Sequence, residues 1–188
     1  MSSKRQALSP VDTAWLHMDD PTNLMMVTGV CLLDGPIDTD RLRRTVEARL
    51  LTLERFRMRL AGPSLHVGLP HWEVDPTFNY RSHVHHVALP EPGDMAALHD
   101  FMSDLASTPL DESKPLWQIH MIDNVMGGSA MAMRFHHAVG DGVAMVGVMT
   151  RLLDEAPDAP IALPDLPKPV AIRAPKMRRS LLDSARSA

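Results

Sequence analysis

Residues 117–142 read WQIHMIDNVMGGSAMAMRFHHAVGDG, and this stretch decides the fold. Trp117 to Val125 and Ser129 to His136 are rich in β-forming residues, and Met126-Gly127-Gly128 between them is a hairpin signal. The spacing therefore predicts two antiparallel strands. The helical pattern from Val143 to Asp154 follows at once, started by Asp141, whose side chain suits a helix N-cap. The junction His136-His137-Ala138-Val139-Gly140-Asp141-Gly142 places two imidazoles, a carboxylate and two glycines between a strand and a helix. A neutral imidazole can take the proton of a hydroxyl as that hydroxyl attacks a carbonyl. Glycines beside it leave room for a substrate. Adjacent strand residues point to opposite faces, so one of the two histidines faces a substrate and the other packs or hydrogen-bonds. A carboxylate four residues after His137 could orient the ring, cap the helix or pair with an arginine, and the spacing leaves these open.

Outward from this centre the chain alternates between the two periodicities. Ser9-Pro10-Val11-Asp12 starts a helix that should run to Met18 and end at Asp19-Asp20-Pro21. Met25 to Leu33 is a strand closed by Asp34-Gly35-Pro36. Asp38 or Thr39 caps a helix with the stripe Leu42, Val46, Leu50 and Leu53. Phe56 to Leu60 alternates like a half-buried strand, Leu65 to Leu69 returns the chain, Trp72 to Tyr80 is irregular, and Val84 to Leu89 is a further strand. Leu98, Phe101, Met102 and Leu105 mark an amphipathic helix. Past Glu155 prolines dominate. The expected organisation is a domain over 1–155, a Pro-rich linker over 156–176 and the start of another helix over 177–188.

With 188 residues, 45% of them hydrophobic and 22% charged, the chain has the composition of a globular protein. A net charge of −4 gives no overall positive field for nucleic acid, and none is expected as a partner. Cys31 is the only cysteine, so no internal disulfide forms. Met1 to Trp15 lacks the apolar segment of a secretory signal, and no apolar run reaches the ~20 residues that span a bilayer. A cytoplasmic location is expected. His83 and His85 share a face by strand alternation, but no cysteine or carboxylate neighbour completes a metal site, and none is assigned. His66, His71, His99 and His120 are expected at the surface or hydrogen-bonded; Trp72 and Trp117 are expected as core anchors, with Trp117 also stiffening a substrate wall. Arg173, Lys176, Arg178 and Arg179 form a basic cluster, by default a solvated face and alternatively a contact for phosphates or anionic headgroups.

Leu8-Ser9-Pro10-Val11-Asp12 with Trp15, Arg55-Phe56-Arg57-Met58-Arg59, Pro115-Leu116-Trp117 and the HHxxxDG junction together resemble the N-terminal half of the bacterial wax ester synthase/acyl-CoA:diacylglycerol acyltransferase family. The junction alone is shared with carnitine, chloramphenicol and condensation-type acyltransferases. The resemblance implies an α/β fold with a mixed sheet flanked by helices, one half of a two-domain chloramphenicol-acetyltransferase-like enzyme. It implies His137 as general base, His136 in support, Asp141 shaping the loop, and Gly140, Gly142 and Trp117 on the substrate side. The implied reaction is acyl transfer from acyl-CoA, a co-substrate, to diacylglycerol or a long-chain alcohol, with no metal or bound cofactor. The implied partners are a C-terminal half of the same enzyme and a membrane or lipid-droplet surface, touched from the side. Another HHxxxD enzyme, of the condensation or polyketide-associated kind, and a non-catalytic lipid-binding half-domain are the alternatives.

Overall fold

The computed structural model describes residues 5–62, 70–140, 142–154, 156 and 159–161. Two sheets organise these residues. A four-stranded sheet has the order β2-β7-β6-β5, with β2 at Met26–Leu33, β5 at Val84–Ala88, β6 at Trp117–Val125 and β7 at Gly128–His136. It is mixed: β2–β7 and β6–β7 are antiparallel and β5–β6 is parallel. A three-stranded antiparallel sheet has the order β1-β4-β3, with β1 at Arg5–Ala7, β3 at Met58–Ala61 and β4 at His71–Val74. The helices are α1 (Pro10–Met18), α2 (Thr39–Thr45, continued as a π-helical turn over Val46–Leu50), α3 (Met95–Ser107) and α4 (Gly142–Leu152).

The sequence dictates most of these starts. Ser9 and Asp12 form a reciprocal capping box at α1, with Pro10 in the first turn. Asp38 and Asp94 accept from the backbone N–H groups of Arg41 and Ala97, each at 2.9 Å, and so cap α2 and α3. In the β6–β7 hairpin, Met126 and Gly127 both take positive φ, 49° and 82°. That is the two-residue turn whose twist matches antiparallel strands.

The four-stranded sheet is covered on both faces. Trp117, Ile119, Met131, Met133 and Phe135 meet Leu42, Val46, Leu50, Met145 and Val148 on the α2/α4 side. Ile122, Ala130 and Ala132 meet Leu98 and Leu105 of α3 on the other. Burial on both faces is why β6 and β7 show no strict polar–apolar alternation.

Three expectations need correction. Trp72 to Tyr80 is not wholly irregular, because His71–Val74 pairs between β1 and β3. Phe56 and Arg57 belong to a 3₁₀ turn over Glu54–Arg57, and the strand begins at Met58. Leu53 lies beyond the helical stripe, which ends at Leu50. Residues 65–69 and 162–188, with the basic cluster and most of the linker, lie outside the described residues.

The described start of the linker is tied down. Arg49, 2% exposed, pairs with Asp154 at 2.8 Å and donates to the carbonyls of Arg151 (3.1 Å) and Pro160 (3.3 Å). Arg41 reaches Asp154 at 3.1 Å and the carbonyl of Ala159 at 2.7 Å. Arg49→Ala leaves Asp154 with Arg41 alone and two carbonyls without their donor, and is expected to cost about 2 kcal/mol in urea unfolding.

Polar side chains also sit between the sheet and α3. His120, 7% exposed, stacks on His85 at 4.8 Å and meets the edge of Phe101, and its Nδ1 has no hydrogen-bond partner among the described residues. His120 is therefore a buried residue, not the surface or hydrogen-bonded one expected. Burial first, then His85 and Arg134, push it from the ordinary 6.5 down to about 4. The fold accommodates only the neutral ring, so the unfolded chain binds the extra proton between these values. Stability is expected to fall as pH drops from about 6.5 towards about 4. His120→Phe should flatten that slope in denaturant titrations at each pH.

Candidate active site

The antiparallel ladder pairs Met26 with His136, so β7 ends at the first histidine. One contact extends past it: the His137 N–H donates to the carbonyl of Met25 at 2.8 Å. On the other side the His136 N–H donates to the carbonyl of Leu116 at 3.1 Å. The Pro115-Leu116-Trp117 segment thus braces the histidine strand through its backbone.

His136 shapes the turn. Its Nδ1 accepts from the Ala138 N–H at 3.0 Å, and its carbonyl accepts from the Val139 N–H at 2.9 Å. An accepting Nδ1 places the proton of the neutral ring on Nε2. Nε2 lies 3.6 Å from a carboxylate oxygen of Asp19, the residue that ends α1. His136 is only 4% exposed. Burial holds it below the ordinary histidine range, while Asp19 pulls the other way. Nδ1 therefore has a structural partner, while Nε2 is buried and faces Asp19 at a distance longer than a hydrogen bond.

His137 is different. It keeps partial exposure. One face of its ring is stacked on Trp15 of α1, with centroids 4.4 Å apart and planes 18° apart. Its Nδ1 is buried and has no hydrogen-bond partner among the described residues. Trp15 and Asp19 are one helical turn apart, so the end of α1 spans both histidines. The sequence marks α1 clearly, but nothing in it signals these two contacts, because they join segments more than a hundred residues apart.

The remaining site residues divide. Asp141 lies outside the described residues. A Cβ on Gly142 would meet nothing within 4 Å, which leaves open space at the start of α4. A Cβ on Gly140 would come within 2.8 Å of Met145 and 3.2 Å of Ala144, so this glycine lets the first turn of α4 pack against the loop. Trp117 is 0% exposed, with its indole N–H donated to the carbonyl of Phe56 at 2.8 Å. It is a core anchor and offers no surface to a substrate. His83 and His85 do not share a face. His83 precedes β5, stacks between Phe78 and Trp117, and contacts the Trp117 carbonyl through Nδ1 at 2.9 Å. No group of histidine, cysteine and carboxylate suited to a metal occurs among the described residues.

A cavity of about 840 Å³ lies elsewhere, lined by Leu33, Ile37, Leu42, Met131 and Leu152 among others. Leu33 pairs with Ser129, at the opposite end of the β2–β7 ladder from His136, so this hollow does not reach the histidines.

The family profile of the wax ester synthase/diacylglycerol acyltransferase catalytic domain matches residues 8–187. The chain belongs to this family. Its relatives include a protein of Mycobacterium tuberculosis strain CDC 1551, provisionally named a diacylglycerol O-acyltransferase, 33% identical over 169 residues. The match covers 85% of this chain and 33% of that protein. A similarly named protein of Mycobacterium bovis is 29% identical over 153 residues, 79% of this chain and 33% of its own. The chain spans about a third of the length of these curated relatives. Among solved structures, the wax ester synthase/diacylglycerol acyltransferase of Marinobacter aquaeolei VT8 superposes with a TM-score of 0.68 at 29% identity, over 83% of this chain and 40% of that one. The starter condensation domain of rhizomide synthetase RzmA superposes with a TM-score of 0.63 at 18% identity, over 80% and 36%. The second likeness shows the fold alone: the mixed sheet with flanking helices is common to both kinds of acyltransferase.

Proposed function

We propose that this chain is the histidine-bearing part of an acyl-CoA-dependent O-acyltransferase, acting on diacylglycerol or a long-chain alcohol. The observation that carries the reading is the contrast between the two histidines: His136 is buried, accepts the Ala138 N–H at Nδ1 and faces Asp19 with Nε2, while His137 is partly exposed and stacks on Trp15 with Nδ1 unpartnered among the described residues. The family membership and the names of the relatives support the choice of substrates.

In the proposed reaction His137 takes the hydroxyl proton as the alcohol oxygen attacks the thioester carbonyl. The tetrahedral intermediate collapses with cleavage of the carbon–sulfur bond. The imidazolium returns the proton to the departing sulfur, giving an ester and free CoA. The thioester already carries the activated acyl group, so the scheme draws on no further cofactor. His136 holds the turn. Asp141 is proposed to shape the loop, and Gly142 to leave the approach to His137 open.

Full turnover is proposed to need a second half carrying the other channel wall, consistent with the third of the relatives' length that this chain spans. No helix among the described residues is long and apolar enough to cross a membrane. Because diacylglycerol resides in membranes and droplets, the reaction is proposed to occur at such a surface, with the protein bound from the side.

Incubation of the chain, supplied with its second half, with radiolabelled long-chain acyl-CoA and, separately, diacylglycerol, hexadecanol and a long-chain amine tests the reading. Labelled triacylglycerol or wax ester is expected. Labelled amide with no ester would move the chain to condensation chemistry, and acyl-CoA binding without transfer to any acceptor would leave a lipid-binding role.

A further inference from the structure

We infer that Trp15 is a positioning residue for the His137 imidazole, fixing the plane of the ring by stacking where no hydrogen bond to Nδ1 does so. The inference rests on the reading of His137 as the base.

Backbone contacts settle where the side chain of His137 begins. Its N–H is held by the Met25 carbonyl, and the following Ala138 is 1% exposed, with its own N–H on His136. They do not settle how the ring is turned. The terminal torsion of a histidine has a broad, roughly two-fold profile, so an unsupported ring swings through a wide arc. A histidine base is commonly fixed by a hydrogen bond from its second nitrogen to a carboxylate. Among the described residues Nδ1 of His137 has no such partner.

The indole supplies the missing constraint. At 4.4 Å and 18° it permits only a nearly parallel imidazole. Stacking engages the face of the ring and leaves the in-plane nitrogens uncommitted, so orientation is gained without occupying a lone pair. It also closes one face to water and to substrate. Trp15 is itself held at both ends of its helix. Asp12 receives the Trp72 indole N–H at 3.2 Å near the start of α1, and Asp19 receives the Met25 N–H at the end. Trp15 and Leu16 also pack against the cluster of Met58, Trp72, Leu116 and Ala138, which fixes the indole from the side of the smaller sheet.

The test uses Trp15→Phe, which keeps a flat face, and Trp15→Leu, which keeps apolar bulk without one. In the 188-residue chain carrying ¹³C-histidine, the His137 ring resonances are assigned by their loss in His137→Gln. They are expected to be shielded by the indole, to stay shifted in Trp15→Phe and to move downfield in Trp15→Leu. In the acyl-transfer assay, Trp15→Leu is expected to lower kcat roughly ten- to a hundredfold with KM for acyl-CoA little changed, and Trp15→Phe to restore most of the rate. Circular dichroism confirms that both variants are folded. Resonances that stay in place in Trp15→Leu overturn the inference. So does an undiminished kcat, or a loss that Trp15→Phe does not repair. If the unaltered chain, supplied with its second half, transfers no acyl group, the acyltransferase reading fails separately; the resonances still report whether Trp15 holds the ring.

Discussion

His137→Ala is expected to lower kcat for acyl transfer by ~10²–10⁴-fold, with the fold intact. The size follows from what a positioned base contributes: a hydroxyl stays protonated at neutral pH, and its attack on a thioester is slow unless the proton leaves in the same step. The fold should survive because the side chain of His137 makes a stacking contact and its Nδ1 has no hydrogen-bond partner among the described residues, while its backbone contact to Met25 is available to alanine. The comparison variant is His136→Ala. It removes the acceptor for the Ala138 N–H and the contact to Asp19, so it should lower both the melting temperature and the rate. Initial rates and thermal melts on the two variants separate the roles. A near-native kcat in His137→Ala removes that residue from the mechanism.

Trp117→Ala is expected to destabilise the chain by about 3–5 kcal/mol, read from the urea midpoint. The side chain is 0% exposed and its ring stacks on His83 at 4.5 Å, with centroids 6.0 Å from Phe56 in an edge-to-face contact. Truncation opens a large void, leaves the Phe56 carbonyl without its donor and removes one of the two aromatic faces enclosing His83. Trp117→Phe should cost less, since it fills most of the volume and loses chiefly the hydrogen bond. A Trp117→Ala chain as stable as the native one would mean that the interior closes over the gap.

The centre of the fold was legible because β6, its turn and β7 carry strong local signals. Gly127 suits the positive φ of the turn, and long apolar strands need no distant information to be recognised. The capping residues Ser9 and Asp38 were legible for the same reason; Asp94, which caps α3, was not read. The short strands were not. β1 has three residues and β4 has four, too few for an alternation to stand out, and both form because partners far along the chain pair with them. At the site, the histidine pair and the chemistry of an imidazole were readable. The division of labour inside the pair rests on Asp19 and Trp15, whose proximity only tertiary structure creates. Gly140 and Trp117 were assigned to the substrate side for their place in the motif; packing against Met145 and Phe56 explains their environments instead.

Asp12 is a junction whose reach exceeds its place in the helix. Its carboxylate completes the capping box with Ser9, receives the Trp72 indole proton and lies 3.6 Å from Arg55, which in turn sits 4.2 Å above the Trp72 ring. The smaller sheet and the platform beneath His137 are therefore moored to a single anionic post. Wear at that mooring would loosen the α1 start, the buried Trp72 and the Trp15 face together, so a lower melting temperature and shifted His137 resonances should arrive as one event.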